Sequence, residues 1–159
     1  MNRSETLFFT GHRELYFSEG SDAFALLYDT ILSFYKKGYK NFICGGALGF
    51  DTAAAECVIR FKERYTDAAL VLILPCKNQA EMWGYSDRAR YERILGRADA
   101  VSYVGEEYRR GCMHERNRAM VHESSACIAY CKRNSGGSAY TVAYAQKMGL
   151  SVINLANSL

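Results

Sequence analysis

The sequence predicts one α/β domain over residues 1–159, with a Rossmann-like, doubly wound, mainly parallel sheet and helices on both faces. Short apolar runs alternate with helix-length segments along the whole chain, which is typical of parallel sheets with right-handed crossovers. The run Ala69–Leu74 is apolar without alternation, as expected for a strand covered on both faces. Glycine-bearing turns follow several strands. These turns point to a ligand site at the carboxyl edge of the sheet.

The first half of the chain is predicted to form three strands and two helices. Thr6–Thr10 and Asn41–Cys44 are short apolar strands. Between them a helix begins at Ser21 or Asp22, either of which can cap it, and runs to about Lys37 before Gly38. The apolar stripe of this helix comprises Phe24, Leu27, Tyr28, Ile31 and Phe34. The next helix is predicted from Asp51, as its cap, to about Tyr65, followed by the strand Ala69–Leu74, which Pro75 is expected to end.

The second half continues the alternation. After a looser segment from Cys76 to Tyr85, the predicted elements are a helix from about Asp87 to Arg97, a strand Asp99–Val104, a helix from Gly111 to His122, a strand Ala126–Tyr130, a helix Ala139–Met148 and a strand Ser151–Leu155. We find no internal repeat, linker or low-complexity tract.

Composition and charge narrow the class of protein. Twenty basic and 17 acidic residues give a net charge of +3, which is too balanced to indicate a polyanion partner by itself. We therefore expect no nucleic-acid partner. Met1–Glu5 leads directly into a strand and no apolar run reaches the roughly 20 residues of a membrane span, so we expect a cytoplasmic protein without membrane contact. The six cysteines are then expected as thiols, and their spacing does not suggest a metal site.

Three turns at strand ends are suited to bind an anion. They are Thr10–Arg13, Cys44–Asp51 and Asn134–Thr141, and the last two open helices. Helix amino termini present free N–H groups and a positive dipole, and glycines allow a ligand to approach the backbone. The residues expected to contact the ligand are Thr10, Gly11, His12, Arg13, Gly45, Gly46, Ala47, Leu48, Gly49, Asp51, Arg116, Asn117, Ser135, Gly136, Gly137, Ser138 and Thr141. A packing role for the glycine turns is the alternative.

Other side chains could complete such a site. Arg116 and Arg118 stand two apart in a predicted helix, so only one can face a ligand squarely, and the sequence leaves open which one. His12 could donate to phosphate, act as a base or bind a carbonyl group. Trp83 could stack on a nucleotide base or pack in the core. The glycine spacing matches neither the dinucleotide fingerprint nor the Walker loop.

These motifs resemble a known family. The segment Gly45-x-Ala47-x-Gly49-x-Asp51 resembles the glycine loop of the DprA-type Rossmann domain, Arg116-Asn117-Arg118 its Arg-Asn-Arg segment, and Gly137–Thr141 its Gly-Ser-x-x-Thr turn. Over its whole length the chain is most similar to the YpsA-like proteins of the SLOG superfamily. Further matching stretches are Thr10–Leu15, Leu74–Cys76, Tyr108–Met113 and Arg116–Val121.

The resemblance implies a bacterial protein that binds nucleotides or derivatives such as ADP-ribose or NAD-like molecules. It also implies a possible homodimer and a protein partner in cell division. The related LOG-type phosphoribohydrolases carry Pro-Gly-Gly-x-Gly-Thr-x-x-Glu, whereas this chain has an additional residue before Thr141, and Ala143 and Tyr144 where the glutamate would fall. The alanine–histidine pair of DprA is Ala54–Ala55 here.

Three functions are compatible with the sequence. A nucleotide-binding or sensing protein without robust turnover ranks first, because the phosphate-binding turns lack a recognisable acid–base pair. A hydrolase of an N-glycosidic or phosphate bond ranks second, with Asp51, Glu14, Glu56 or Glu115 as its carboxylate and His12 assisting. Single-stranded DNA binding, as in DprA, ranks third.

Overall fold

Six parallel strands form one sheet in a computed structural model that describes residues 1–158. The strands are β1 (Thr6–Gly11), β2 (Asn41–Cys44), β3 (Ala69–Cys76), β4 (Ala100–Gly105), β5 (Ala126–Tyr130) and β6 (Ser151–Asn154). The helices are α1 (Asp22–Lys36), α2 (Phe50–Lys62), α3 (Tyr85–Arg97), α4 (Cys112–Glu123) and α5 (Gly137–Lys147). All five strand pairings are parallel, which confirms the predicted fold class.

Helices cover both faces of the sheet, as the sequence predicts. Alternate residues of β1 point to opposite sides: Leu7 and Phe9 pack with α1, α2 and α3, whereas Phe8 packs with α4 and α5. The same alternation continues in β3, where Leu72 joins the first layer and Ile73 the second. Burial on both faces explains why these strands are almost continuously apolar.

The strand order creates a crevice at one place. The sheet runs β4-β3-β2-β1-β5-β6, so the chain adds strands outward from β1 to β4 and then crosses to the other side of β1. The connections that leave β1 and β5 therefore diverge to opposite faces. In open α/β sheets this switch point is the usual ligand position, at the carboxyl ends of the strands.

The structure corrects the predicted end of β3. The strand continues through Pro75 to Cys76 instead of stopping before the proline. β2 has already ended opposite Leu72, so at Pro75 only β4 remains alongside. A proline is tolerated where one side of a strand has no ladder partner. Most other boundaries differ from the prediction by one to three residues, and β2 and β5 coincide with it.

The start of α2 is packed tightly against the segment after β1. The amide of Phe50 donates to the carbonyl of His12 at 3.1 Å. Gly49 caps the helix with φ +77°, and a Cβ at this position would lie 2.1 Å from the Arg13 carbonyl oxygen. Gly49 is therefore required both by its backbone conformation and by close approach. The predicted cap, Asp51, lies instead in the first turn of the helix.

Substitution of Gly49 by alanine should separate these two requirements. We expect Gly49→Ala to lower the free energy of unfolding by about 2–4 kcal/mol, since the methyl group meets a backbone oxygen that cannot move freely. The control is Gly20→Ala, at φ +89° with no heavy atom within 4 Å of the added Cβ. This change should cost only about 1–2 kcal/mol. If urea denaturation showed the same loss of unfolding free energy for both variants, the close approach at Gly49 would make no contribution to stability.

Candidate functional site

A polar cavity of about 280 Å³ lies at the switch point. The end of β1, the loops after β1, β2 and β5, the first turn of α2, one face of α4 and the start of α5 meet there. Its lining residues are Thr10, Gly11, His12, Arg13, Glu14, Ala47, Asp51, Met113, His114, Arg116, Asn117, Met120, Arg133, Ser135, Gly136, Gly137 and Ser138. We call this the anion cavity. Residues from all three predicted turns therefore come together at one place.

The amino terminus of α5 supplies free backbone donors. Gly136 caps the helix with φ +97°, and no side chain of residues 1–158 accepts from the first-turn amides. The first amides of any α-helix have no partner within the helix and carry the positive end of its dipole. Thr141 is not part of the lining, because its hydroxyl group is turned into the helix and donates to the Gly137 carbonyl at 2.9 Å.

His12 presents an N–H group to the cavity. Its Nε2 accepts the Lys132 amide at 2.9 Å, so in the neutral ring the proton resides on Nδ1. Burial lowers the pKa of His12 below 6.5, and the nearby Arg133 and Lys132 lower it further, although Glu14 opposes them. His12 is therefore mainly neutral at pH 7. We infer this tautomer from the hydrogen-bond network.

Arg133 lines the cavity next to Nδ1 of His12. Its Nη1 lies 3.5 Å from Nδ1 of His12, and both atoms are donors in the neutral histidine. The other terminal nitrogen, Nη2, is paired with the Glu14 carboxylate. This arginine holds the pKa of Glu14 below its usual value through a side-chain hydrogen bond. Two adjacent donors without an acceptor between them are an arrangement that an anionic oxygen can satisfy.

The structure decides between the two arginines of α4. Arg116 is only 4% exposed and lines the cavity, whereas Arg118 is exposed elsewhere on the helix. Arg116 donates to the Gly45 carbonyl through Nη1 and to Oδ1 of Asn117 through Nε at 2.7 Å. Its Nη2 lies 3.8 Å from Sδ of Met113, and a thioether sulfur is only a weak acceptor. Burial lowers the pKa of this arginine, but it remains charged at neutral pH.

Asp51 lines the cavity and is buried, and its carboxyl group lies near the guanidinium of Arg116 above Gly45. Its Oδ2 accepts the Ala47 amide at 3.2 Å, which folds the glycine turn back onto α2. Burial raises the pKa of Asp51, and the opposing effect of Arg116 is smaller. The side chain therefore organises the turn and does not cap the helix.

Most of the first glycine turn lies behind the cavity wall. Ala47 and Asp51 line the cavity, whereas Gly45, Gly46, Leu48 and Gly49 do not. A Cβ on Gly45 would lie 2.6 Å from Nη1 of Arg116. A Cβ on Gly46 would lie 2.4 Å from Leu74. These glycines give room to neighbouring side chains, and their contact with a ligand stays a prediction.

Trp83 lies outside the anion cavity, in a neighbouring pocket of about 290 Å³. The residues that line this second pocket are Arg13, Ala47, Asn78, Gln79, Glu81, Met82, Trp83, Tyr108 and Met113. We call it the aromatic pocket. Arg13, Ala47 and Met113 line both spaces, so the two adjoin.

The predicted ligand contacts did not include five residues of the anion cavity: Glu14, Met113, His114, Met120 and Arg133. Spacing could have revealed the two methionines, because residues 113, 116, 117 and 120 follow the i, i+3, i+4, i+7 pattern of one helix face. Glu14 and Arg133 are adjacent to predicted turns, but their pairing depends on the strand order.

Residues 1–158 contain neither a candidate metal-binding group nor a candidate membrane-spanning helix. No group of three or more His, Cys, Asp or Glu residues is placed to hold a metal ion. None of the helices in this part of the chain has the length and apolar character needed to cross a membrane.

The tautomer of His12 leads to a pH prediction. Because its pKa is lowered in the folded protein, the unfolded chain binds more protons between that lowered value and about 6.5. His12 should therefore make the free energy of unfolding rise with pH through this window and then level off. His12→Gln should remove this contribution, while the glutamine oxygen still accepts the Lys132 amide. Urea denaturation of both proteins between about pH 5 and pH 7 tests this. Parallel pH profiles would contradict it.

Comparison with known sequences gives a consistent result. A sequence model of the YpsA family, described as the YspA SLOG family, matches residues 7–153. The uncharacterised SPbeta prophage-derived protein YoqJ of Bacillus subtilis (strain 168) is 30% identical over 124 residues, covering 70% of this chain and 72% of that protein. A UPF0398 protein of Bacillus cereus (strain B4264) is 32% identical over 126 residues, covering 77% and 68%.

Solved structures share the fold. DNA processing protein A (DprA) from Streptococcus pneumoniae aligns with a TM-score of 0.67 and 17% identity over 94% of this chain, which spans 49% of that protein. DprA from Helicobacter pylori aligns with a TM-score of 0.58 and 19% identity over 92% of this chain, which spans 63% of that protein. At these identities the likeness concerns the fold alone. The family match, in contrast, covers nearly the whole chain, and the protein belongs to the YspA SLOG family.

Proposed function

We propose that this protein binds a nucleotide or nucleotide derivative through a phosphate group, without robust turnover. The observation that carries the proposal is the convergence of donors in the anion cavity. The free amides of α5, Nδ1–H of His12 and the Arg133 guanidinium face one space. Phosphate needs several donors arranged around a single group, which this arrangement supplies.

The charge balance of the lining supports an anionic ligand. Three arginines, Arg13, Arg116 and Arg133, line the cavity together with two carboxylic acids, Asp51 and Glu14. The three arginines outnumber these acids even when both acids are ionised, and burial raises the pKa of Asp51. Within residues 1–158 Arg13 makes no ion pair. A ligand with negative charge would therefore meet a net positive surface.

The placement of the acids supports binding over catalysis. Glu56 lies outside the cavity, where it accepts a hydrogen bond from the Tyr16 hydroxyl group at 2.7 Å and lies near Arg90 and Arg93. Glu115 is paired with Arg109 at 2.6 Å. Of the four carboxylates considered from the sequence, only Asp51 and Glu14 line the cavity, and each already has a protein partner. ADP-ribose and NAD-like molecules are the ligands we propose to test first.

One observation favours a hydrolase as the second candidate. Asp51 and Glu14 line the same cavity, and their pKa values move apart, that of Asp51 upward by burial and that of Glu14 downward by Arg133. Such a separation is found in acid–base pairs of enzymes. Chromatography of AMP, NAD and ADP-ribose after incubation with the protein tests this. Product that is lost in Asp51→Asn would support hydrolysis.

Single-stranded DNA is a third candidate. The H. pylori structure is described as showing a single-stranded DNA binding mode of DprA, which weakens the expectation that nucleic acid is no partner here. The arginine-lined cavity is compatible with a phosphate backbone. Filter binding of an oligonucleotide should then weaken steeply as salt rises, because counterions are released on binding.

Nucleotide binding should raise thermal stability. At about 100 to 1,000 times Kd, a ligand that binds only the folded protein contributes roughly 2–4 kcal/mol. We expect this for at least one of AMP, ADP-ribose and NAD in a thermal shift assay. Arg133→Gln should weaken binding of that ligand by roughly 10- to 100-fold, since a charged hydrogen bond is lost.

The matched control is Arg118→Gln. It removes the same charge from an exposed arginine outside the cavity, so it should leave the affinity close to that of the unchanged protein. A thermal shift that is absent for every nucleotide would refute the proposal. Equal weakening by both substitutions would assign the binding to net charge and not to the cavity.

A further inference from the structure

We infer that the aromatic pocket holds the base of the same nucleotide whose phosphate occupies the anion cavity. This inference rests on the proposed function, and it adds the class of ligand: a nucleotide whose ring system contacts Trp83. The two spaces adjoin along Arg13, Ala47 and Met113, so one molecule can extend from one to the other. Each space has a volume of just under 300 Å³.

The two spaces differ in chemistry in the way that the two ends of a nucleotide differ. The anion cavity contains arginines, a histidine and a free helix terminus. The aromatic pocket contains Trp83 and Tyr108 with Met82 and Met113, which are side chains that pack against a flat ring. Inorganic phosphate would leave this second space unused.

Trp83 is held in place for such a contact. It is half-buried, and its indole ring packs edge-on against Tyr91 with centroids 5.3 Å apart at 79°. Tyr91 is itself buried, and its hydroxyl group is hydrogen bonded to Gln79, which also donates to the Gly46 carbonyl at 3.2 Å. The pocket wall is therefore tied to the glycine turn next to the anion cavity. A pre-positioned aromatic ring loses little entropy when a base stacks on it.

Two apolar or aromatic side chains that line the aromatic pocket are largely exposed, which leaves surface available for a ligand. Met82 is 92% exposed and Tyr108 is 63% exposed, although both are apolar or aromatic. The amide of Tyr108 donates to Oδ1 of Asn78 at 2.9 Å, so the loop that carries the tyrosine is fixed to the opposite wall. A base between these walls would remove apolar surface from water.

A comparison of AMP with ribose 5-phosphate tests the inference. Trp83 is the only tryptophan, so its selectively excited fluorescence reports on this pocket alone. AMP should change the fluorescence and bind more tightly than ribose 5-phosphate, which lacks the base. Trp83→Ala should weaken AMP roughly fivefold or more and leave ribose 5-phosphate unchanged. Trp83→Phe keeps a ring and should retain most of the AMP affinity.

The control variant is Tyr85→Ala, which removes an exposed aromatic side chain outside the pocket and should not alter AMP binding. Equal affinity for AMP and ribose 5-phosphate, with loss of both in Arg133→Gln, would overturn the inference but leave the phosphate site standing. An AMP affinity unchanged in Trp83→Ala would also overturn it. Failure of both ligands to bind would refute the phosphate site and this inference together.

Discussion

The buried contact of Arg116 with the end of β2 joins the two sides of the molecule. Arg116 belongs to α4 on one face of the sheet, and Asp51 to α2 on the other, yet both reach the space above Gly45. A Cβ on this glycine would lie 2.6 Å from the guanidinium and 3.0 Å from the carboxylate. A buried charge is costly unless it is hydrogen bonded, and the Gly45 carbonyl accepts from the buried guanidinium. Only a glycine at position 45 leaves room for both side chains.

This contact also determines which groups face the crevice. With Arg116 held against the Gly45 carbonyl, Met113, Asn117 and Met120 of the same helix face the cavity beside it. With Asp51 bound to the Ala47 amide, only Ala47 and Asp51 of the glycine turn reach the cavity. The donors at the start of α5 and in the loop after β1 form the remaining walls of the anion cavity. The geometry of the site thus follows from the strand order and one buried cation.

The fold was predictable because its signals are local. The alternation of apolar runs and helix stripes, and caps such as Ser21, whose Oγ accepts the Phe24 amide at 3.1 Å, depend on residues close in sequence. The failures have two different causes. Pro75 remains in β3 because β2 is short, which is a non-local cause. Asp51 accepts from the Ala47 amide four residues earlier instead of capping α2, so this failure is a wrong choice between two local interactions.

The site was predictable only in part, because several of its contacts join residues that are far apart in the sequence. The turns at strand ends could be recognised from glycines and helix starts. The choice of Arg116 over Arg118 depends on how α4 is rotated against the sheet. The pairing of Arg133 with Glu14, 119 positions apart, depends on β5 lying beside β1. The room that Gly45 and Gly46 leave is taken by Arg116 and Leu74, which lie far away in the sequence.

The pairing of Glu14 with Arg133 has a consequence for an incoming anion. The guanidinium already has a negative partner, so a bound phosphate group must share it with Glu14 or displace that carboxylate. Occupancy then exchanges one counter-charge for another, and the energetic gain is the difference between the two. In the proposed phosphate site, Glu14 therefore competes with the ligand for the guanidinium of Arg133.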